Sequence, residues 1–211
     1  MRRAVFLDRD GTISEEIGYI HAADLPRYAL LPRSAEGIRR LHEAGYAVVV
    51  LTNQSGVARG YFPASQVDAV HARMRGLLAA QGAQVDGIYY CPHHPEPAAP
   101  ADNGQLPPGR VAARPVPELC FDCDCRKPKA GLALRAAAEL GLDLKASWMV
   151  GDKGADLGVA QSAGLKGGIL VKTGYGVGTL EKLQAKGRTP AFVASDLAGA
   201  ADMILTQDKG A

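Results

Sequence analysis

Short apolar runs alternate along this chain with longer segments in which apolar residues recur every three or four positions. Ala4 to Asp8, Tyr46 to Leu51, Gly87 to Tyr90, Ser147 to Val150, Gly168 to Val171 and Ala191 to Ala194 read as six strands. Their near-continuous apolar character is that of strands buried on both faces of a parallel sheet. Between them, Ser34 is placed to cap a helix with Ile38 and Leu41 on one face, stopping at Gly45. Pro63 opens a long helix with Val67, Val70, Met74, Leu77 and Leu78 on one stripe, and Gly82 ends it. Further helices are predicted over Gly131 to Leu140, Asp156 to Ala163, around Leu180 to Gln184, and over Leu197 to Leu205. Strands alternating with helices imply right-handed βαβ crossovers, so the fold class is α/β, with a parallel sheet and helices on both faces.

Two stretches break the pattern. Ile13 to Leu31 reads as a loop or small hairpin over the end of the first strand. Cys91 to Pro128 carries Pro92, Pro95, Pro97, Pro100, Pro107, Pro108, Pro115 and Pro117, which forbid regular structure over most of it. So long an irregular loop in a compact domain needs an external tie.

Composition narrows the function classes. A chain of 211 residues suits a single domain, residues 1–211. With 24 basic and 22 acidic residues, and no dense basic run, a nucleic-acid partner is not expected. No apolar stretch approaches the roughly 20 residues of a membrane span. The start, Met1-Arg2-Arg3 and then a short strand, does not read as a signal peptide, so a cytoplasmic protein is expected. The helical stripes are assigned to the core, so a monomer is expected.

Polar groups then gather at predicted strand ends, where α/β sheets bind ligands. Asp8 and Asp10 follow the first strand, and Gly11 lets the chain turn. Two carboxylates so close imply a divalent cation or a shared proton. Asp8 suits a nucleophile toward phosphorus, and Asp10 a general acid that becomes a base for water. Thr52 follows the second strand, and its hydroxyl can donate to phosphate oxygens. Lys127 offers those oxygens a positive charge. Asp152, past the fourth strand, would complete an Mg2+ site with Asp8 and a backbone carbonyl at Asp10. Asp156 could bond to the metal's waters or steady Lys153. Taken singly, each has a plainer reading: Asp10-Gly11 and Gly151-Asp152 as turns, Thr52-Asn53 as a helix-capping turn, Lys127 as a loop charge. Their joint occurrence in this order does not.

The cysteines Cys91, Cys120, Cys123 and Cys125 fall within 35 residues. Clustered cysteines in a chain read as cytoplasmic point to metal more than to disulfides. Cys91-x-His93 with Cys123-x-Cys125 supplies four ligands for a structural Zn2+, which would tie the proline-rich loop and place Arg126 and Lys127. Cys120 and His94 are left out of the set.

Phe6-Leu7-Asp8-Arg9-Asp10-Gly11-Thr12, Leu51-Thr52-Asn53-Gln54, Arg126-Lys127-Pro128 and Val150-Gly151-Asp152 resemble the four motifs of the haloacid dehalogenase superfamily. The match covers about residues 4–156. It implies a Rossmann-like sheet and Mg2+-dependent chemistry through an aspartyl-phosphate, and the second acid at Asp10 resembles the phosphatase branch. The 43 residues 9–51 leave no room for a cap domain beside a helix and a strand, so the cysteine loop alone is expected to be the lid. Within the superfamily, that loop with Gly18-Tyr19 resembles the sugar-bisphosphate phosphatases, with the histidinol-phosphate phosphatases as the alternative. The resemblance implies a phosphorylated sugar as partner, bound by Glu16, Ile17, Gly18, Tyr19, Thr52, Asn53, Gln54, Ser55, Arg126, Lys127 and Lys153. Arg126 would read the non-reacting phosphate, a task for a planar guanidinium. The segment Ala98 to Leu119 is longer than that resemblance leads one to expect.

Overall fold

The computed structural model describes residues 1–96 and 115–209. Most of the long segment Ala98 to Leu119 lies outside them. Six parallel strands form one sheet: β1 (Arg2–Leu7), β2 (Ala47–Asn53), β3 (Gly87–Cys91), β4 (Leu142–Gly151), β5 (Gly167–Val171) and β6 (Phe192–Ala194). Their spatial order is β3-β2-β1-β4-β5-β6. Six α-helices accompany them: α1 (Ser34–Glu43), α2 (Ala64–Ala79), α3 (Gly131–Leu140), α4 (Gly154–Ser162), α5 (Gly176–Gln184) and α6 (Leu197–Lys209).

The strands read as continuous apolar runs because each of their two faces has its own core. Val5 and Leu7 of β1, with Val48, Val50, Trp148, Val150, Ile169 and Val171, point to a layer made by α1, α2 and α6. Ala4 and Phe6, with Ala47, Val49, Leu51 and Met149, point the other way, onto α3 and α4. Right-handed crossovers produce this division: connections running from β1 toward β3 put their helices on one face, and those running the other way use the opposite face. The direction reverses between β1 and β4, so their carboxyl ends flank a crevice at the switch point. Asp8 and Asp152 stand at those two ends.

Three local expectations change. Ser34 does not cap α1; it is the first helical residue, after Arg33 in left-handed conformation, and its hydroxyl donates to the Thr12 carbonyl at 3.4 Å. α4 begins at Gly154 rather than Asp156, because the Asp156 carboxylate accepts the Lys153 N–H at 2.9 Å and so starts the helix two residues early. β4 begins at Leu142, its pairing with β1 shifting register between Arg3 and Val5. The loop over β1 holds a 3-10 segment, Ala22–Arg27, and the described part of the cysteine loop a 3-10 turn, Pro117–Leu119. No helix among the described residues is long and apolar enough to cross a membrane.

Candidate active site

At the switch point lies a cavity of about 430 Å³. It is lined by Asp8 and Asp10 from the end of β1, Glu16, Gly18 and Tyr19 from the loop above, and Thr52, Asn53, Gln54 and Ser55 from the end of β2. Arg126, Lys127, Lys153, Ala155, Asp156 and Tyr175 complete the wall. Of the residues predicted to meet a substrate, all but Ile17 line this cavity; Ile17 is exposed.

Lys127 is the buried electrostatic centre. Its ammonium lies 2.9 Å from Asp8 Oδ1 and 2.6 Å from Asp156 Oδ1, and donates to the Leu51 carbonyl at 2.8 Å. Burial alone would strip its proton; the two carboxylates outweigh burial and hold its pKa above that of a free lysine. The same pairing works on Asp8. Burial favours its neutral form, but Lys127, Lys153 and the Arg9 N–H, 2.7 Å from Oδ1, together keep its pKa below the usual carboxylate value. Asp8 is therefore an anion. Asp156 pairs with Lys127 and accepts the Lys153 N–H at the helix start, and with Asp8 and Asp152 it forms a buried group of three carboxylates.

The side chains of the β2 turn are also spent on position. The Asn53 amide donates to the Lys127 carbonyl at 3.1 Å, and its oxygen accepts the Lys127 N–H at 3.0 Å. The Gln54 amide donates to Asp10 Oδ2 at 3.0 Å and to Thr52 Oγ1 at 2.8 Å. Both residues line the cavity, and these bonds fix their side chains against Lys127 and Asp10. Thr52, having accepted one bond, retains its own O–H for a ligand. Arg126 donates to the His93 carbonyl at 3.2 Å, which joins the two ends of the cysteine loop at the cavity wall.

The oxygens predicted to hold Mg2+ converge. Asp8 Oδ2, the Asp10 carbonyl and Asp152 Oδ1 lie 3.8, 3.4 and 3.3 Å from one positive centre, the Lys153 ammonium, which also bonds Glu16 at 2.8 Å. Asp152 is fully buried, and its Oδ1 has no hydrogen-bond partner among the described residues. Burial, assisted by the charges of Asp8 and Asp156 and opposed by Lys153, pushes its pKa up to about 7. A buried acid with one oxygen that makes no hydrogen bond and meets only an ammonium, beside a second carboxylate and a carbonyl, is the hard-oxygen set a divalent cation requires.

A second cluster, of Cys91, His93, Cys123 and Cys125, could hold a metal ion. Cys91 Sγ lies 3.5 Å from Cys123 Sγ, Cys125 Sγ 3.3 Å from Cys123 Sγ, and His93 Nδ1 3.2 Å from Cys125 Sγ and 3.7 Å from Cys91 Sγ. Four ligands around zinc at ~2.3 Å would stand near ~3.7 Å from one another, close to these separations. All four cysteines are free thiols. Cys120 lies apart, donating toward the Val116 carbonyl, and His94 contacts Arg59.

Sequence reasoning missed Tyr175 and Ala155. Ala155 is the second residue of α4 and carries no chemistry that would single it out. Tyr175 lies in the turn after β5, and Lys172 and Thr173 before it read as ordinary turn residues.

Comparison with known proteins places this architecture. The HAD-hydrolase-like family matches residues 124–200. The D-glycero-beta-D-manno-heptose-1,7-bisphosphate 7-phosphatase of Pasteurella multocida is 42% identical over 88% of this chain and 90% of its own. The D-glycero-D-manno-heptose-1,7-bisphosphate 7-phosphatase of Thermosynechococcus vestitus is 41% identical over 97% of this chain and 96% of its own. Among solved structures, the D,D-heptose 1,7-bisphosphate phosphatase of B. bronchiseptica, complexed with magnesium and phosphate, superposes with a TM-score of 0.74. It is 34% identical and covers 97% of this chain and 99% of its own. The chain belongs to this family of heptose-bisphosphate phosphatases, among the HAD-like hydrolases.

Proposed function

We propose that the chain hydrolyses the 7-phosphate of D-glycero-D-manno-heptose 1,7-bisphosphate, with Mg2+ as cofactor, on a route toward ADP-heptose and lipopolysaccharide core. The observation that carries this reading is the charge layout of the cavity. Lys127 and Lys153 stand beside the reacting carboxylates, and a further cation, Arg126, lies on the same wall. One phosphate occupies the first pair; a second phosphate on the same molecule meets the guanidinium. The relatives' names agree with that arithmetic.

In the first half-reaction, an Asp8 carboxylate oxygen forms a bond to phosphorus as the bond from phosphorus to the sugar O7 breaks. Asp10 gives its proton to the departing O7, leaving the sugar as an alcohol. In the second, the Asp10 carboxylate takes a proton from water, the resulting hydroxide oxygen bonds to phosphorus, and the acyl-phosphate bond to Asp8 breaks. Inorganic phosphate leaves, and Asp8 and Asp10 regain their starting forms. Lys127 and the Thr52 hydroxyl hold the phosphoryl oxygens throughout. Asp8, the Asp10 carbonyl and Asp152 would hold Mg2+, which when bound offsets the charge between the nucleophile and the phosphate. Cys91, His93, Cys123 and Cys125 would hold a structural Zn2+, which when bound would tie the loop that carries Arg126 and Lys127.

The test follows phosphorus directly. Phosphorus NMR of the product should show the anomeric phosphate intact and the 7-phosphate gone. Release of the anomeric phosphate instead would reject the assignment.

A further inference from the structure

The turn after β5, Thr173-Gly174-Tyr175-Gly176, lies outside all four motifs, yet it reaches Asp152, a fully buried acid of the site. The Tyr175 N–H donates to Asp152 Oδ2 at 2.8 Å, and the Thr173 hydroxyl donates to the Gly11 carbonyl at 2.6 Å. The Gly176 N–H closes the turn on the Thr173 carbonyl at 2.8 Å. Contact with the first motif is close: Gly174 has φ +53°, and a Cβ there would overlap Asp152 Oδ2 and the Gly11 Cα. Gly11, at φ +82°, has the reciprocal constraint, since its own Cβ would strike the same carboxylate. Asp152 is thus held between two glycines, with Oδ2 bonded to a backbone N–H and Oδ1 left facing the Lys153 ammonium at 3.3 Å.

We infer that the Thr173–Gly176 turn is a positioning element for the divalent cation, fixing Asp152 through Oδ2 so that Oδ1 faces Asp8 and the Asp10 carbonyl. A carboxylate rotates about its last torsion and would otherwise offer either oxygen in several directions. Water cannot restrain it, because Asp152 is fully buried. A backbone N–H does so without adding a positive charge that would compete with the cation. Thr173 supplies the other half of the clamp by joining the turn to the loop that carries Asp10. The Tyr175 ring takes no part in this contact; it lies along the cavity wall, its centroid 5.1 Å from the Lys153 ammonium.

The inference rests on the assignment of Asp152 to the cation, and its test needs no substrate. Mg2+ binding is measured by titration calorimetry on the whole, zinc-loaded protein, with thermal melting as a check of folding. Thr173→Val should weaken Mg2+ binding by roughly tenfold, the low end of the usual loss for partners that orient metal ligands, and Thr173→Ser should restore it. Gly174→Ala should weaken it by about 10–100-fold. Tyr175→Ala keeps the N–H and should bind Mg2+ within about twofold of the parent. Parental Mg2+ affinity in Thr173→Val, whether or not Gly174→Ala folds, would overturn the inference. So would a loss in Tyr175→Ala as large as that in Thr173→Val. Because cation binding is read without turnover, failure of the protein to hydrolyse a heptose bisphosphate would count against the proposed substrate and leave this result separate.

Discussion

The guanidinium of Arg9 grips the carboxylate of its chain neighbour Asp10 with two parallel bonds, Nε to Oδ1 at 2.9 Å and Nη2 to Oδ2 at 2.8 Å. Arg9 is 1% exposed, so an arginine that looks like a spacer between two acids is part of the site's interior. With Gln54 on Oδ2, it sets the direction in which Asp10 can exchange a proton. Arg9→Met should lower kcat by about 10²-fold or more, the scale of a misdirected general acid, while Mg2+ affinity changes little. Steady-state kinetics beside Mg2+ titration checks this; parental kcat would remove Arg9 from the account.

The buried trio of Asp8, Lys127 and Asp156 separates stability from chemistry. Lys127→Met leaves two buried carboxylates without their cation, which should cost about 3–5 kcal/mol and abolish turnover. Lys127→Met with Asp156→Asn removes one of those charges and should recover part of the stability but none of the activity. Urea unfolding and phosphate release on both variants give the two readings.

His71 gives the fold an acid limit. Buried against Tyr90, it has its pKa pushed down to about 3 by burial first, and then by the nearby charges of Arg9 and Arg75. The folded state keeps it neutral while the unfolded chain takes up a proton below the ordinary value of 6.5. Its contribution is therefore complete above pH 6.5 and is lost progressively as pH falls toward 3. His71→Leu should flatten the decline of melting temperature between pH 6.5 and 4; an unchanged slope would contradict the assignment.

Much of this was legible beforehand, for identifiable reasons. Strands buried on both faces must be apolar throughout, so β1, β2 and β4 stood out, and the polar residues ending them marked the crevice. Asp8, Thr52 and Asp152 stood out as polar groups at the ends of apolar strands, while Lys127 on its loop and Lys153 were singled out with the help of the motif resemblance. What sequence did not reveal was how side chains spend their bonds. Asn53 and Gln54 belong to a motif, but only the fold shows them facing Lys127 and Asp10. Tyr175 acts through a backbone N–H, which every residue but proline possesses and no sequence pattern advertises. Ser34 has the right chemistry for a cap, but Arg33 takes the capping position in left-handed conformation.

The cysteine cluster makes a separate prediction. Elemental analysis of the purified protein should find one zinc per chain. Cys123→Ser should lose it and melt at lower temperature, since the surrounding coil has little core of its own. Arg126, bonded to the His93 carbonyl, should then lose its fixed place, so KM should rise more than kcat falls. A Cys123→Ser protein with parental zinc content would reject the ligand set.

The most direct test is phosphate release, with Mg2+, from both anomers of D-glycero-D-manno-heptose 1,7-bisphosphate and from histidinol phosphate under identical conditions. A second anionic group bound by Arg126 predicts kcat/KM for a heptose bisphosphate at least about tenfold above that for histidinol phosphate, equivalent to ~1.4 kcal/mol, with Arg126→Met erasing most of the difference. Faster hydrolysis of histidinol phosphate would contradict the account.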